Sequence, residues 1–168
     1  MAKRRSAMAK AKHAVPEGYH TITPVLTLDD TAKAIDWYKK AFGAEELSRN
    51  AGPDGKIMHA EIKIGDSRIM MSDPIMDGKG PQAYGGSPAG IWIYVADCDA
   101  LYNRAVAAGA KSTMSVGDQF WGDRFGAITD PFGYRWSFAT RKEDLTAAEI
   151  GQRQEEFFKS AAAQGKRP

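Results

Sequence analysis

The chain has 168 residues, 43% of them hydrophobic and 26% charged, with a formal net charge of +2. That is ordinary for a soluble globular protein and enough for one domain with a packed core, or two small modules sharing one. The charge is uneven: Lys3, Arg4, Arg5, Lys10 and Lys12 precede the first acid, Glu17, and without them 18 basic residues face 21 acidic ones, a body of net −3 that excludes a nucleic-acid surface.

Residues 1–17 read as a flexible basic tail, a solvated extension. No apolar h-region follows it and no apolar run approaches the roughly 20 residues of a membrane span, so neither a secretory signal nor a membrane partner is expected. The single cysteine, Cys98, excludes an internal disulfide and a Cys-based zinc motif. Its setting between Asp97 and Asp99 suits a structural role, and a cytoplasmic location is the default expectation.

The first element is a strand, Tyr19–Leu28, in which Ile22, Pro24, Leu26 and Leu28 alternate with Thr21, Thr23, Val25 and Thr27. Pro24 removes one ladder donor. A helix from Thr31 to Phe42 follows, with Ile35, Tyr38 and Phe42 on one face, cap candidates at Asp29, Asp30 and Thr31, and Gly43 as its stop. Three short antiparallel strands come next: "EELSRN", then "KIMHAEIKI" after a turn at Gly52–Gly55, then "SRIMMS" after Gly65 and Asp66.

Residues 76–89 are rich in Gly and Pro without periodicity and form a linker between a first module, 18–75, and a second, 90–140. In the second module the order restarts: strand "GIWIYV", helix "DCDALYNRAVAAG" with Leu101, Ala105 and Ala108 inward, strand "AKSTMSV", and two more strands within "DQFWGDRFGAITDPFGYRWSFAT". Gly43 and Gly109 stand 66 apart, Asp30 and Asp97 stand 67 apart, and each half reads βαβββ, an internal repeat. Residues 141–168 carry a separate helix, opened by a Thr146–Glu149 capping box and a Leu145–Ile150 staple. Its apolar stripe, Ile150, Phe157, Phe158 and Ala161, must dock on the body or on a second chain.

With "AIDWYKKAFGAE" in one half and "YVADCDALYNRAVAAGAK" and "FWGDRFGAITDPFGYRWSFAT" in the other, residues Gly18 to Thr140 resemble the vicinal oxygen chelate superfamily, the glyoxalase, bleomycin-resistance and extradiol-dioxygenase fold, and most closely its PhnB-like branch. The resemblance implies an α+β fold: two βαβββ modules forming a curved, mostly antiparallel eight-stranded sheet around a cleft, with the C-terminal helix added. Metal-dependent members place ligands on the first and last strand of each module. Carried over, those positions fall at Thr23, at Met70 with Ser72 next on its face, at Gly90 and at Ser137. These cannot replace His and carboxylates, so no metal and no cofactor are expected.

Alternation assigns the other cleft candidates. His59 and Glu61 share a face opposite Ala60 and Ile62, roughly 6.5–7 Å apart along the strand, and are the candidate acid–base pair. Trp92 and Tyr94 share the face of Gly90, while Ser137 and Arg135 face the cleft and Trp136 and Phe138 the core. Arg124 is the anion-binding candidate, although pairing with Asp123 or Asp130 would make it structural, and Trp121 stands with Phe120 on the rim. No P-loop, nucleophile elbow, dinucleotide fingerprint or CxxC occurs. The expected function is binding of a small aromatic or amphipathic molecule in the cleft by a homodimer. Two alternatives stand beside it: a lyase, isomerase or dioxygenase of the same superfamily using His59 and Glu61 or a relocated metal, and an interaction protein using the C-terminal helix.

Overall fold

The computed structural model describes residues 11–163, so Lys3, Arg4, Arg5 and Lys10 of the basic tail lie outside the described residues. The first module comprises β1 (Val25–Thr27), α1 (Thr31–Phe42), β2 (Glu45–Ala51), β3 (Ile57–Ile64) and β4 (Ser67–Ser72), with sheet order β1-β4-β3-β2. The linker holds one 3₁₀ turn, Pro81–Tyr84. The second module comprises β5 (Gly90–Tyr94), α2 (Cys98–Ala107), β6 (Lys111–Asp118), β7 (Asp123–Thr129) and β8 (Arg135–Arg141), ordered β5-β8-β7-β6, and α3 (Ala147–Ala163) closes the described chain.

The repeat extends to the register. In both sheets the first and last strands pair in parallel, Val25 opposite Met70 and Trp92 opposite Ser137, so both positions shift by the same 67 residues. Both helices start from an aspartate whose carboxylate accepts a backbone N–H three residues on, Asp30 from Lys33 and Asp97 from Ala100. Gly43 ends α1 with φ of 69°, a left-handed conformation that glycine adopts without steric cost.

The eight strands divide into two four-stranded mixed sheets, because the β1 and β5 edges do not pair. Two local causes act on β1, which is shorter than its alternating pattern suggests. Pro24 still accepts a hydrogen bond from the Met70 N–H at 2.9 Å, but it has no N–H to extend the ladder. On the outer edge the Tyr134 hydroxyl of the second module accepts from the Thr27 N–H and donates to the Thr27 carbonyl, both at 3.0 Å. A side chain thus occupies the positions a neighbouring strand would take.

One core joins the modules. Tyr38 and Phe42 of α1 pack on Trp136 and Phe138 of β8, with ring centroids 5.3 Å (Tyr38–Trp136), 4.7 Å (Phe42–Trp136) and 5.6 Å (Phe42–Phe138) apart. The helices are tied by Trp37 Nε1 donating to the Ala108 carbonyl (2.8 Å) and Arg104 Nε donating to the Ala41 carbonyl (2.6 Å). Asp130, buried in the β7–β8 turn, accepts from the Tyr38 hydroxyl (2.6 Å), Trp136 Nε1 (2.8 Å) and the N–H groups of Phe132 and Tyr134 (both 2.9 Å). Burial pushes its carboxyl pKa up, against the pull of those donors.

The C-terminal helix is largely uncovered in the single chain. The capping box forms, with Thr146 and Glu149 bonded reciprocally. Yet α3 buries none of its residues fully: Phe157 and Phe158 stay 45% and 42% exposed, and the body meets the helix with Phe120, 5.4 Å from the Phe157 ring, and with Glu143, which accepts from Arg153. No helix among the described residues is long and apolar enough to cross a membrane.

Candidate functional site

The gap left between the two sheets is a cavity of about 480 Å³ running along the free edge of β5. Its walls include Ile22 and Thr23 from the segment before β1, Arg68 and Ile69 from β4, and Trp92 and Tyr94 from β5. The Val95 N–H donates to the Ala139 carbonyl, so alternation turns the Trp92 and Tyr94 backbone groups away from β8 and toward the cavity, where they find no hydrogen-bond partner among the described residues. The site therefore offers apolar walls and an unpaired strand edge.

On the face of β5 away from the helices, Trp92 lies nearly flat on Phe125 of β7, with centroids 4.7 Å apart and planes inclined by 23°. Trp121 meets Phe125 edge-on at 5.8 Å, and Phe120 continues the row. Beneath them the buried Asp123 accepts from the Tyr94 hydroxyl (2.9 Å) and from Trp121 Nε1 (3.1 Å), which fixes both rings. The hydrogen bond to Asp123 pushes the Tyr94 phenol up, and burial adds to this. Trp92 is 45% exposed and Trp136 fully buried, on opposite faces as the alternation requires. Ser137, half-buried, lies opposite Trp92 in the β5–β8 pairing.

His59 and Glu61 lie on the corresponding face of the first sheet, bonded at 3.0 Å, with Arg68 Nη1 at 3.3 Å from the other Glu61 oxygen. The Tyr19 hydroxyl, followed by His59, holds the Glu61 carboxyl below the usual carboxylate range, and the Arg68 guanidinium sits 4.5 Å over the Tyr19 ring. A carboxylate held by several donors is a weak base, so this cluster is built for holding charge more than for abstracting protons. Met70 pairs with Glu61, and Ser72 with Thr27. The candidates thus form two groups, His59, Glu61, Met70 and Ser72 on the first sheet and Trp92, Tyr94, Trp121 and Ser137 on the second, with Thr23 at the cavity between them.

Arg124 is the exception. It stands on the helix side of β7, where Nε and Nη2 grip Asp99 of α2 at 2.5 and 2.7 Å and Nη1 reaches Asp118 at 3.1 Å. These bonds push its pKa further up and Asp99's down. Arg124 therefore clamps α2 to the sheet, with its guanidinium engaged by carboxylates. Arg124, Gly126 and the buried Ile128 share one parity, a signal visible in the sequence. Asp123, Phe125, Arg68 and Tyr19 were not anticipated. Asp123 and Phe125 follow from the same alternation, whereas Tyr19 depends on how the segment before β1 folds back.

The family described as Glyoxalase/Bleomycin resistance protein/Dioxygenase superfamily matches residues 18–138. The chain is similar to the uncharacterized protein Rv0887c of Mycobacterium tuberculosis, 42% identical over 134 residues that cover 77% of this chain and 79% of that one. Among solved structures, TioX from Micromonospora sp. ML1 is similar with a TM-score of 0.59 and 27% identity, covering 76% of this chain and 100% of that one. A PhnB protein from Bacillus cereus shares the fold at a TM-score of 0.57 and 18% identity, covering 72% and 99%.

Proposed function

The chain belongs to the glyoxalase/bleomycin resistance protein/dioxygenase superfamily, and on that premise we propose that it binds a small aromatic or amphipathic molecule in the cavity between its sheets, without a metal. Metal-dependent members need imidazole and carboxylate donors. The matching positions here carry hydroxyls at Thr23 and Ser137, a thioether at Met70 and no side chain at Gly90. Among the described residues no three His, Cys, Asp or Glu side chains are placed to hold an ion. The family's metal does not fit these donors.

The observation that carries the proposal is Trp92, half-exposed on a rigid aromatic backing and opening on a cavity of about 480 Å³, a size that suits a small-molecule ligand. A flat ligand stacked there covers the ring and reaches the unpaired β5 edge groups. Titration with a panel of aromatic ligands should quench tryptophan fluorescence saturably, and Trp92→Ala should weaken binding roughly tenfold. Affinity unchanged in Trp92→Ala would place the ligand elsewhere. Elemental analysis should find no stoichiometric divalent metal, and an ion held by side chains in the cavity would overturn the metal-free reading.

The proposal extends to a homodimer. The support is α3, whose Phe157 and Phe158 remain half-exposed on a helix that buries no residue fully against its own body. Light scattering should report twice the 18.3 kDa chain mass. Cutting after Thr140 should give a monomer with a lowered melting temperature, because the dimer contacts of Ile150, Phe157 and Phe158 that stabilise the native chain are lost. A monomeric full chain at micromolar concentration sinks the dimer.

A further inference from the structure

We propose a second binding site, separate from the inter-sheet cavity, for a small oxyanion carried on a flat apolar body. It is a groove of about 750 Å³ between the linker loop and the β7–β8 turn, and it shares no lining residue with the first cavity. Lys79 and Arg135 line it as cations, Tyr84, Pro81 and Pro88 supply apolar surface, and Thr129 adds a hydroxyl.

The charge in this groove is uncompensated. Among the described residues Arg49, Arg68, Arg124, Arg141 and Arg153 all sit on carboxylates, and Arg104 donates to a backbone carbonyl. Arg135 has no such partner, and Lys79, like most of the described lysines, forms no ion pair. Neighbouring carboxylates do not change this, and Asp77, two residues before Lys79, forms no ion pair with it. Asp29 packs against Gly80 without bridging to Lys79, and Asp130 behind the turn is engaged by four donors. No carboxylate lines the groove. A guanidinium grips an oxyanion with two parallel N–H bonds, and an ammonium adds a point charge beside it.

The walls are held before any ligand arrives. The N–H of Gly86 donates to the Pro81 carbonyl (2.8 Å), that of Ser87 to the Gly133 carbonyl (3.0 Å), and Gln82 Nε2 to the Pro131 carbonyl (3.0 Å), pinning the loop to the turn. Gly85 and Gly86 have φ of 76° and 127°, and the space where a Cβ would stand is open at both. The Tyr84 ring, 69% exposed, presents a flat face to the ligand body.

The test titrates the full chain with phenyl phosphate, benzoate and uncharged benzyl alcohol, by calorimetry and by amide shift changes at Gly85, Gly86 and Gly133. At least one anion should shift the Gly85, Gly86 and Gly133 amides saturably, benzyl alcohol should leave those amides unshifted, and raising salt from 50 to 500 mM should weaken the complex. Whether phosphate or carboxylate binds better identifies the oxyanion class. Arg135→Gln and Lys79→Gln, both at exposed positions, should each reduce affinity about tenfold with unchanged melting temperature, while Trp92→Ala should leave this binding intact. If neither anion binds at 10 mM, or affinity survives both substitutions, the proposal is wrong. Because Trp92→Ala reads only the inter-sheet cavity, failure at one site is distinguishable from failure at the other.

Discussion

Asp130→Ala should destabilise the protein by about 3–5 kcal/mol, a large part of the roughly 5–15 kcal/mol that holds a domain of this size together. The carboxylate is 4% exposed and accepts from four donors on three parts of the chain: Tyr38 in α1, Trp136 in β8, and the Phe132 and Tyr134 amides of its own turn. Alanine leaves the buried Tyr38 hydroxyl and Trp136 Nε1 and the part-buried Phe132 and Tyr134 amides without their acceptor, and each buried donor without a partner costs about 1–3 kcal/mol before relaxation. Asp130→Asn keeps the volume but turns an NH2 toward donors, so it should recover only part of the loss. Denaturant midpoints of the two variants measure this. An alanine variant within about 0.5 kcal/mol of the parent would mean that water or a rearranged turn satisfies the site.

Trp136→Ala should cost a similar amount, about 3–5 kcal/mol, for a different reason. The indole is fully buried and packs on Tyr38 and Phe42, so its deletion opens a cavity at the centre of the joint core. Trp92→Ala, on the opposite face and 45% exposed, should cost only about 1 kcal/mol. Since Trp136 Nε1 donates to Asp130, the Asp130→Ala and Trp136→Ala losses should sum to more than the double variant loses. Equilibrium unfolding of the two tryptophan variants decides the contrast: a larger loss at Trp92 would show that the second sheet's outer aromatic row, not its helix-facing side, is the structural core.

That contrast was legible in the sequence, because strand alternation needs only one reliable inward residue to orient its neighbours. The helix caps at Asp30, Asp97 and Gly43 were legible for the same local reason. Arg124 shows where attention to chemistry overrode periodicity: an arginine in an aromatic, glycine-rich stretch suggests anion binding, but its parity with Ile128 places it toward α2. The division into two sheets was not legible. It depends on Tyr134 reaching the edge of β1 from a strand pair more than 100 residues on, and nothing local to Thr27 announces that contact. The exposed α3 was also beyond the sequence, since an apolar stripe shows that a helix can dock without showing on what.

The packing of α1 on β8 changes what the internal repeat means. A repeat of chain path need not be a repeat of folding unit, and here each half contributes one side of a shared interior: Tyr38 and Phe42 from the first, Trp136 and Phe138 from the second. Neither half can exclude water from its aromatic surface alone. The linker therefore acts as a tether that keeps two incomplete parts at high effective concentration, and its hydrogen bonds to the β7–β8 turn fix its path across the second half. Cutting it would turn the assembly of the core into a bimolecular reaction that dilution opposes.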